Sequence, residues 1–560
     1  MTSRRDILIA LRNAAALMAI PAGAVTLLLP HDGATARTDG MALATFDALP
    51  ATNIPRGTDR VRTGAFGNGR RGTGGATYVS DALATAALAR AHPDACRASA
   101  NGRLFRLLPA PSGAITPEQL GCPAIGNAQP AFAATLAYAH AAGIERVELP
   151  AQRYDLWAPP RRRGEHANTG LSGHYLLVRE NLAIVGTARG RTLLRCLNSR
   201  GGSNDTVTQP NMTYAAPQPT GDMLTQQRNW MGSGVNVRPN TSMDFLRLEN
   251  VEIDGTRTFD PAAPREPQIN LTHKGVRVQD VNCARIELAN VALRNWGGEI
   301  YYTAGGTGVR EELLENCVFD GSPQCTINSG TAARSTYTDV VTGNSYQAEI
   351  IGGRGKTVRR CRFHDLRGVS LMGGAGAGPD GPLGNGYPFS YPIRRAGQPA
   401  PWMTFEDVTM ERCGTVAITS FARGALRLID SQLGLGTAAG RLTDIDLDVT
   451  AVMDRTRITE PLSLSGPDNL QTPVGRTRTM VAPPDNIRVD LTCQRTAAAR
   501  AAGRSWQQAV RVYPKLFDAR SITITVHGNG AARLLTVTGT PVRGHAMPRI
   551  VAAPDFTPAA

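Results

Sequence analysis

The sequence predicts an all-β solenoid, a parallel β-helix. Two observations carry that prediction. From about residue 240 a short unit recurs as "LENVEIDG" (248–255), "LANVALRN" (288–295), "LENCVFDG" (314–321), "VRRCRFHD" (358–365) and "FEDVTMER" (405–412). Each has apolar residues at the first, fourth and sixth places and a polar one at the third, and the starts lie 40, 26, 44 and 47 residues apart. Recurrence at that period marks a stacked repeat. Weaker echoes follow in "LIDSQL" (428–433) and "LTDIDLDV" (442–449). The second observation is chemical. The units alternate, carry Val, Ile and Phe, and end in Asn, Asp or Gly, so they are strands and not helices. A strand repeated in this way stacks on its counterpart in the next coil and builds parallel sheets along the solenoid axis.

Strand alternation assigns the side chains. The fourth place forms an interior column of Val251, Val291, Cys317, Cys361 and Val408. Cysteine exchanging with valine in one slot reads as packing, because a free thiol behaves as a small hydrophobe. The nine cysteines form no C-x-x-C pair, which argues against a structural zinc site or a dense disulfide framework.

The other elements follow in chain order. Residues 1–36 read as an export signal: Arg4 and Arg5 precede an apolar stretch, and "ATA" at Ala34–Ala36 supplies a cleavage site. "SRRDIL" is similar to the twin-arginine type, with Arg12 interrupting the apolar part. Residues 45–115 form a small glycine-rich β module. In "NAQPAFAATLAYAHAAG", Phe132, Leu136, Ala139 and Ala142 share one face of a capping helix at the start of a β-helix domain spanning 116–555. No later run reaches the roughly 20 apolar residues of a membrane span. The mature chain is therefore expected in the periplasm or outside the cell, without stable membrane insertion.

The net charge is +14, and lysine occurs only at Lys274, Lys356 and Lys515. Guanidinium forks match carboxylates two bonds at a time, so an arginine-rich exported chain suits an acidic polysaccharide. It carries no nucleic-acid-binding motif, and nucleic acid is not expected.

"GGATY", "ITPEQLG", "RVELPAQRYDL", "LAIVG", "GVRVQDVNCARIELANVALRNWGGEIYY" and "SYQAEIIGG" together resemble the pectate-lyase-like superfamily of right-handed parallel β-helix proteins over roughly residues 45–450. That resemblance implies fold more than reaction, since the superfamily includes lyases, hydrolases, epimerases and tailspikes. It also implies a groove-facing acid at the end of "SYQAEIIGG", which is Glu349 here. "PAIGNAQPAF" (123–132) lacks the acids that family members often carry before the first helix.

The candidate chemistry gathers in "NSYQAEIIGGRGKTVRRCRFHDLRG" (344–368). The seventh places form an outward column of Asp254, Arg294, Asp320, His364 and Glu411; the fifth places hold Glu252 and Arg362, with Arg362 about 7 Å from His364. Removal of a proton beside a uronate carboxylate needs a base and a positive group. His364 is the natural base near neutrality. Arg362, Arg367 or Lys274 would neutralise the carboxylate, and in several lyases of the superfamily an arginine or lysine is itself the base. Tyr346 would protonate the leaving oxygen, with Tyr301 and Tyr302 in reserve. His273, Lys274, Trp296, Tyr301, Tyr302, Asp320 and Arg294 are expected to line the groove. A hydrolase instead needs two carboxylates, such as Glu349 with Asp320 or Asp365. Ca²⁺ stays open as a cofactor, because it wants several oxygens and Asp254, Asp320 and Asp365 are dispersed. The sequence thus points to a polysaccharide lyase cleaving a uronate-containing polymer by β-elimination. A glycoside hydrolase or uronate epimerase on the same scaffold, or a non-catalytic carbohydrate binder, are the alternatives.

Overall fold

The computed structural model describes residues 40–559, apart from 69–73, 160–172, 207–231, 264–267, 305–307, 330–331, 352–354, 373–401, 436–442, 466–485, 514–520 and 538–547 and positions 271, 333, 419, 456 and 457. The expected export signal and most of the Gly-rich stretch 372–392 lie outside the described residues. Among the described residues, no helix is long and apolar enough to cross a membrane.

Among the described residues, two sheets account for the strands. A five-stranded sheet orders Met41–Thr45, Arg60–Ala65, Ala76–Val79, Leu104–Leu108 and Cys96–Ala98. Its first pair is parallel and the others antiparallel. The second sheet has 30 strands and is parallel throughout: it is a right-handed β-helix whose coils each present three faces. The helix Gln129–Ala142 caps it, burying Phe132 and Ala139 and half-burying Leu136 and Ala142 against the first coil's core. A solenoid needs such a cap, because its terminal coil has no neighbour to cover the core.

The recurring unit spans two faces and the tight corner between them. On the first face Leu248, Leu288, Leu314, Tyr337, Val358 and Phe405 stack in register. The polar third place is the corner itself. Asn250, Asn290, Asn316, Asp339, Arg360 and Asp407 all have positive φ, between 48° and 56°. Asn and Asp tolerate that left-handed conformation better than other L-residues, because a short polar side chain bonds locally. Here the amides form a ladder: Asn290 Nδ2 donates to Asn250 Oδ1 at 2.7 Å, and Asn316 Nδ2 to Asn290 Oδ1 at 3.1 Å.

The column at the fourth place is Val251, Val291, Cys317, Val340, Cys361 and Val408, each at most 2 % exposed. All nine cysteines are free and buried. Burial pushes the Cys361 thiol up to about 11 and that of Cys317 to about 12, so both stay protonated. One coil was missing from the repeat as read from sequence. Tyr337 lies between Leu314 and Val358, so that long interval is two coils, whereas Leu248 pairs directly with Leu288 and Val358 with Phe405. The echo "LIDSQL" sits out of step, since Leu428 pairs with Met410 and not with Phe405.

Candidate functional site

The second face carries the outward column expected from alternation. Asp254, Arg294, Asp320, Gly343, His364 and Glu411 stack coil on coil. Its charges are satisfied by one another. Arg294 pairs with Asp320 at 3.2 Å and Glu252 at 3.4 Å, and Arg362 pairs with Glu411 at 2.5 Å. His364 Nδ1 lies 2.8 Å from Asp365, which also accepts from Arg412 at 2.6 Å. That Arg412 bond, aided by His364, holds the Asp365 carboxyl down at about 2. The His364 ring lies over Gly343, where an added Cβ would stand 2.4 Å from the imidazole.

The third face groups different residues. Asn236, Arg277, Tyr302, Asn328 and Glu349 form one outward column in consecutive coils. Neighbouring members are therefore about 4.8 Å apart along the axis. Their strand neighbours Val276, Val278, Tyr301, Thr303, Ile327, Ser329, Ala348 and Ile350 point inward and are buried. At the start of these strands Lys274 pairs with Glu299, and Gln324 Nε2 donates to Glu299 Oε1 at 3.0 Å. The Lys274 ammonium lies 3.7 Å from the centre of the Tyr302 ring. Burial lowers the Lys274 pKa against the opposing pull of Glu299, and burial also lowers that of Arg277. Gln347 donates to Glu349 Oε1 at 2.5 Å.

This face is polar yet closed in. Arg277 and Asn328 are 2 % exposed and Glu349 is 9 %, although all three point away from the core; Tyr302 is half-buried. The corner before the face is tightly packed. Trp296 is fully buried there, and a Cβ at Gly234 or Gly255 would come within 2.7 Å of its indole, so both positions need glycine. His273 packs on Trp296 with centroids 4.7 Å apart and accepts from the Gly297 N–H at 3.0 Å. Burial, with Arg257 beside it, pushes the His273 pKa down to about 3, so the ring is neutral.

The expected residues thus divide. Glu349, Lys274 and Tyr302 come together on the third face. Arg294, Asp320, Arg362 and His364 lie on the second, so Glu349 and His364 do not share a face. Tyr346 and Arg367 sit at the corner between the two faces, with the guanidinium 5.8 Å from the ring centre and donating to the Pro261 carbonyl at 3.0 Å. His273, Trp296 and Tyr301 were expected to line the groove; all three are 0 % exposed and their rings are held by protein contacts. Tyr301 points into the lumen because it occupies an inward position of its strand and its hydroxyl bonds Glu312. Arg277, Glu299, Gln324, Asn328 and Gln347 went unnoticed in the sequence. The short alternating runs "VRVQ" and "TINS" are the signal that could have found Arg277 and Asn328. Among the described residues no three His, Cys, Asp or Glu side chains converge as a metal site.

No protein-family model and no curated protein matches the chain. Among solved structures, the chain is similar to the A-module of the Azotobacter vinelandii mannuronan C-5 epimerase AlgE6 at 14 % identity. That match covers 78 % of this chain and 99 % of the module, with a TM-score of 0.44. WceF from Pantoea stewartii, a glycan biofilm modifying enzyme with a tailspike-like parallel β-helix, matches at 10 % identity over 77 % of this chain and 49 % of its own, with a TM-score of 0.32. A family 28 exopolygalacturonase from Yersinia enterocolitica matches at 11 % identity over 83 % of each chain, with a TM-score of 0.26. The parallel pairing of 30 strands coil on coil, with its corner ladder, shows the chain to be a right-handed parallel β-helix.

Proposed function

We propose that the protein is a polysaccharide lyase that cleaves a uronate-containing polymer by β-elimination, with the third face as its active site. The observation that carries this reading is the column Arg277–Tyr302–Asn328–Glu349, with Lys274 against the Tyr302 ring. It assembles a cation, an amide, a phenol and a carboxylate at single-coil spacing.

Each has a use in the reaction. The Arg277 guanidinium and the Asn328 amide offer donors to the uronate carboxylate, which makes the neighbouring C5 proton acidic. A base removes that proton, the C5–H electrons form the C4=C5 double bond, and the C4–O bond breaks. The departing oxygen takes a proton from an acid. Tyr302 suits the proton transfers, since the Lys274 ammonium over its ring stabilises negative charge there. Glu349 orients the sugar hydroxyls or shares the base role. Enclosure strengthens each interaction by excluding water.

Two carboxylates on this face, Glu299 and Glu349, support hydrolysis as a second reading. Incubation with acidic bacterial and plant polysaccharides separates the readings. Lyase action raises ultraviolet absorbance from the unsaturated uronate. Reducing ends without that absorbance mean hydrolysis, altered sugar composition without chain cutting means epimerisation, and polymer retention without chemistry means a binder. Any of those three outcomes refutes β-elimination.

A further inference from the structure

Behind Tyr302 and Asn328 the lumen of the β-helix holds a charged pair. There, Glu312 and Lys356 face inward from the first face, 0 % and 1 % exposed at their side chains, with Nζ 3.9 Å from Oε2. Apolar side chains occupy the same interior column on either side, as Ile286 and Met403. A buried ion pair stabilises a fold poorly compared with well-packed hydrophobes, because desolvation offsets the attraction. A reason other than stability is called for.

The partners of the pair supply one. Glu312 Oε1 accepts from the Tyr301 hydroxyl at 2.6 Å and the Thr303 hydroxyl at 3.2 Å. These two residues flank Tyr302 on its strand. Glu312 Oε2 accepts from Ser329 at 2.8 Å and Tyr337 at 2.5 Å. Lys356 donates to the Ser329 hydroxyl at 2.8 Å and the Ser335 hydroxyl at 3.1 Å. Ser329 is the neighbour of Asn328. The cluster therefore ties the first face to the strand positions on both sides of Tyr302 and to the one beside Asn328, across the lumen. Burial works against the Glu312 charge, but Lys356 and the hydroxyls of Tyr301, Tyr337 and Ser329 outweigh it and hold the carboxyl ionised. Arg277, one coil away in the same outward column, is flanked inside only by Val276 and Val278.

We propose that Glu312 and Lys356 are positioning residues: a cross-lumen clamp that fixes the backbone under Tyr302 and Asn328, and so the geometry of the third-face site. This rests on the reading of that face as the active site. Hydrogen bonds give the clamp direction that apolar packing lacks, and misplacement by about 1 Å can cost about a hundredfold in rate.

The test replaces the pair by neutral groups of similar size, Glu312→Gln with Lys356→Met, in the full chain. Should that protein not fold, Tyr301→Phe with Thr303→Val removes the bonds to Oε1 and leaves the ion pair. Two readouts are taken on protein of native circular dichroism. The first is turnover of a uronate polymer, where kcat is expected to fall about tenfold or more while KM stays within about twofold. The second is independent of chemistry: a 3-fluorotyrosine placed at position 302, whose ¹⁹F resonance is expected to shift or broaden in the variants. Unchanged kcat and an unchanged resonance in a folded variant overturn the clamp. If the wild-type protein turns over no polymer, the site reading fails, and the ¹⁹F signal alone decides the clamp.

Discussion

Replacing Asn290 tests the corner shared by the coils from Asn250 to Asp407. Its φ is 56°, its amide donates to Asn250 at 2.7 Å and it accepts from Asn316 at 3.1 Å. Alanine loses both bonds, worth about 0.5–1.5 kcal/mol each, and the Asn316 bond is solvent-exposed and belongs at the low end. Alanine also bears the left-handed strain of about 1–2 kcal/mol that a Cβ incurs. The expected loss is about 2–3 kcal/mol. Glycine loses the same bonds without the strain, against which stands its greater unfolded-state entropy of about 0.5–1 kcal/mol. Asn290→Gly is thus expected to be less destabilised than Asn290→Ala by about 0.5 kcal/mol, a difference of strain terms. Equilibrium urea unfolding measures both, with Glu287→Ala on the same strand's exposed side as a control expected within about 0.5 kcal/mol of wild type. An alanine variant as stable as the glycine variant would refute the idea that backbone conformation selects asparagine here. Two variants as stable as the control would refute the ladder as well.

The remaining predictions concern the site and the lumen. Tyr302→Phe should lower kcat on the responsive polymer by about a hundredfold or more, while His364→Ala, which removes only a second-face ion-pair partner, leaves kcat within about threefold; turnover assays with both proteins decide between the faces. Arg277→Met should lower kcat together with kcat/KM, because the guanidinium meets more negative charge on the uronate carboxylate as the C5 proton leaves. Burial draws Lys356 down to about 8, with Glu312 pulling the other way. The unfolded chain then binds more protons than the folded one between that value and the ordinary lysine range. The melting temperature of wild type relative to Lys356→Met should therefore rise from about pH 8 to about pH 10 and be flat below. The nine thiols should resist a thiol reagent in the folded protein and all react in denaturant.

The repeat was legible because one interior face selects the same side chains coil after coil. Val251, Val291, Cys317 and Val408 are interchangeable small residues, and the left-handed corner restricts the third place to Asn, Asp and the occasional Arg360. The coil of Tyr337 escaped because hydroxyl-bearing residues, Tyr337 and Thr342, fill its first and sixth places, which are apolar in the other units. Tyr337 is there for Glu312, so the residue that hid the coil belongs to the lumen cluster. The site was less legible. Glu349 and Lys274 stood out as charges, but Arg277 and Asn328 look like ordinary surface residues in "VRVQ" and "TINS". Their company is set by coil closure across long, unequal loops, which local alternation does not encode. His364 stood out for its chemistry, and alternation placed it correctly outward; the face it points from depends on where the coil turns.

The corners also explain why the third face suits a site. In the coils from Asn250 to Asp407 the corner between the first and second faces is a single left-handed residue, and a loop there would break the ladder of Asn250, Asn290 and Asn316. In these coils insertions enter at the other two corners, as the chain does at 255–275 before the third face and between Met372 and Met403 after it. The third face is the one with such a corner on both sides, and a substrate lying there can be walled from two directions. The polar residues follow that constraint. On the second face, charges such as the exposed Arg362 and the partly exposed Glu411 pair at the edge of water, where a pair is worth little and costs little. On the third, Arg277, Asn328 and Lys274 are withdrawn from solvent, where an imperfectly satisfied polar group costs far more than the same group outside. Polarity retained against that cost, backed by a second polar cluster in a lumen that apolar side chains could fill, is the physical ground for proposing this face as the site.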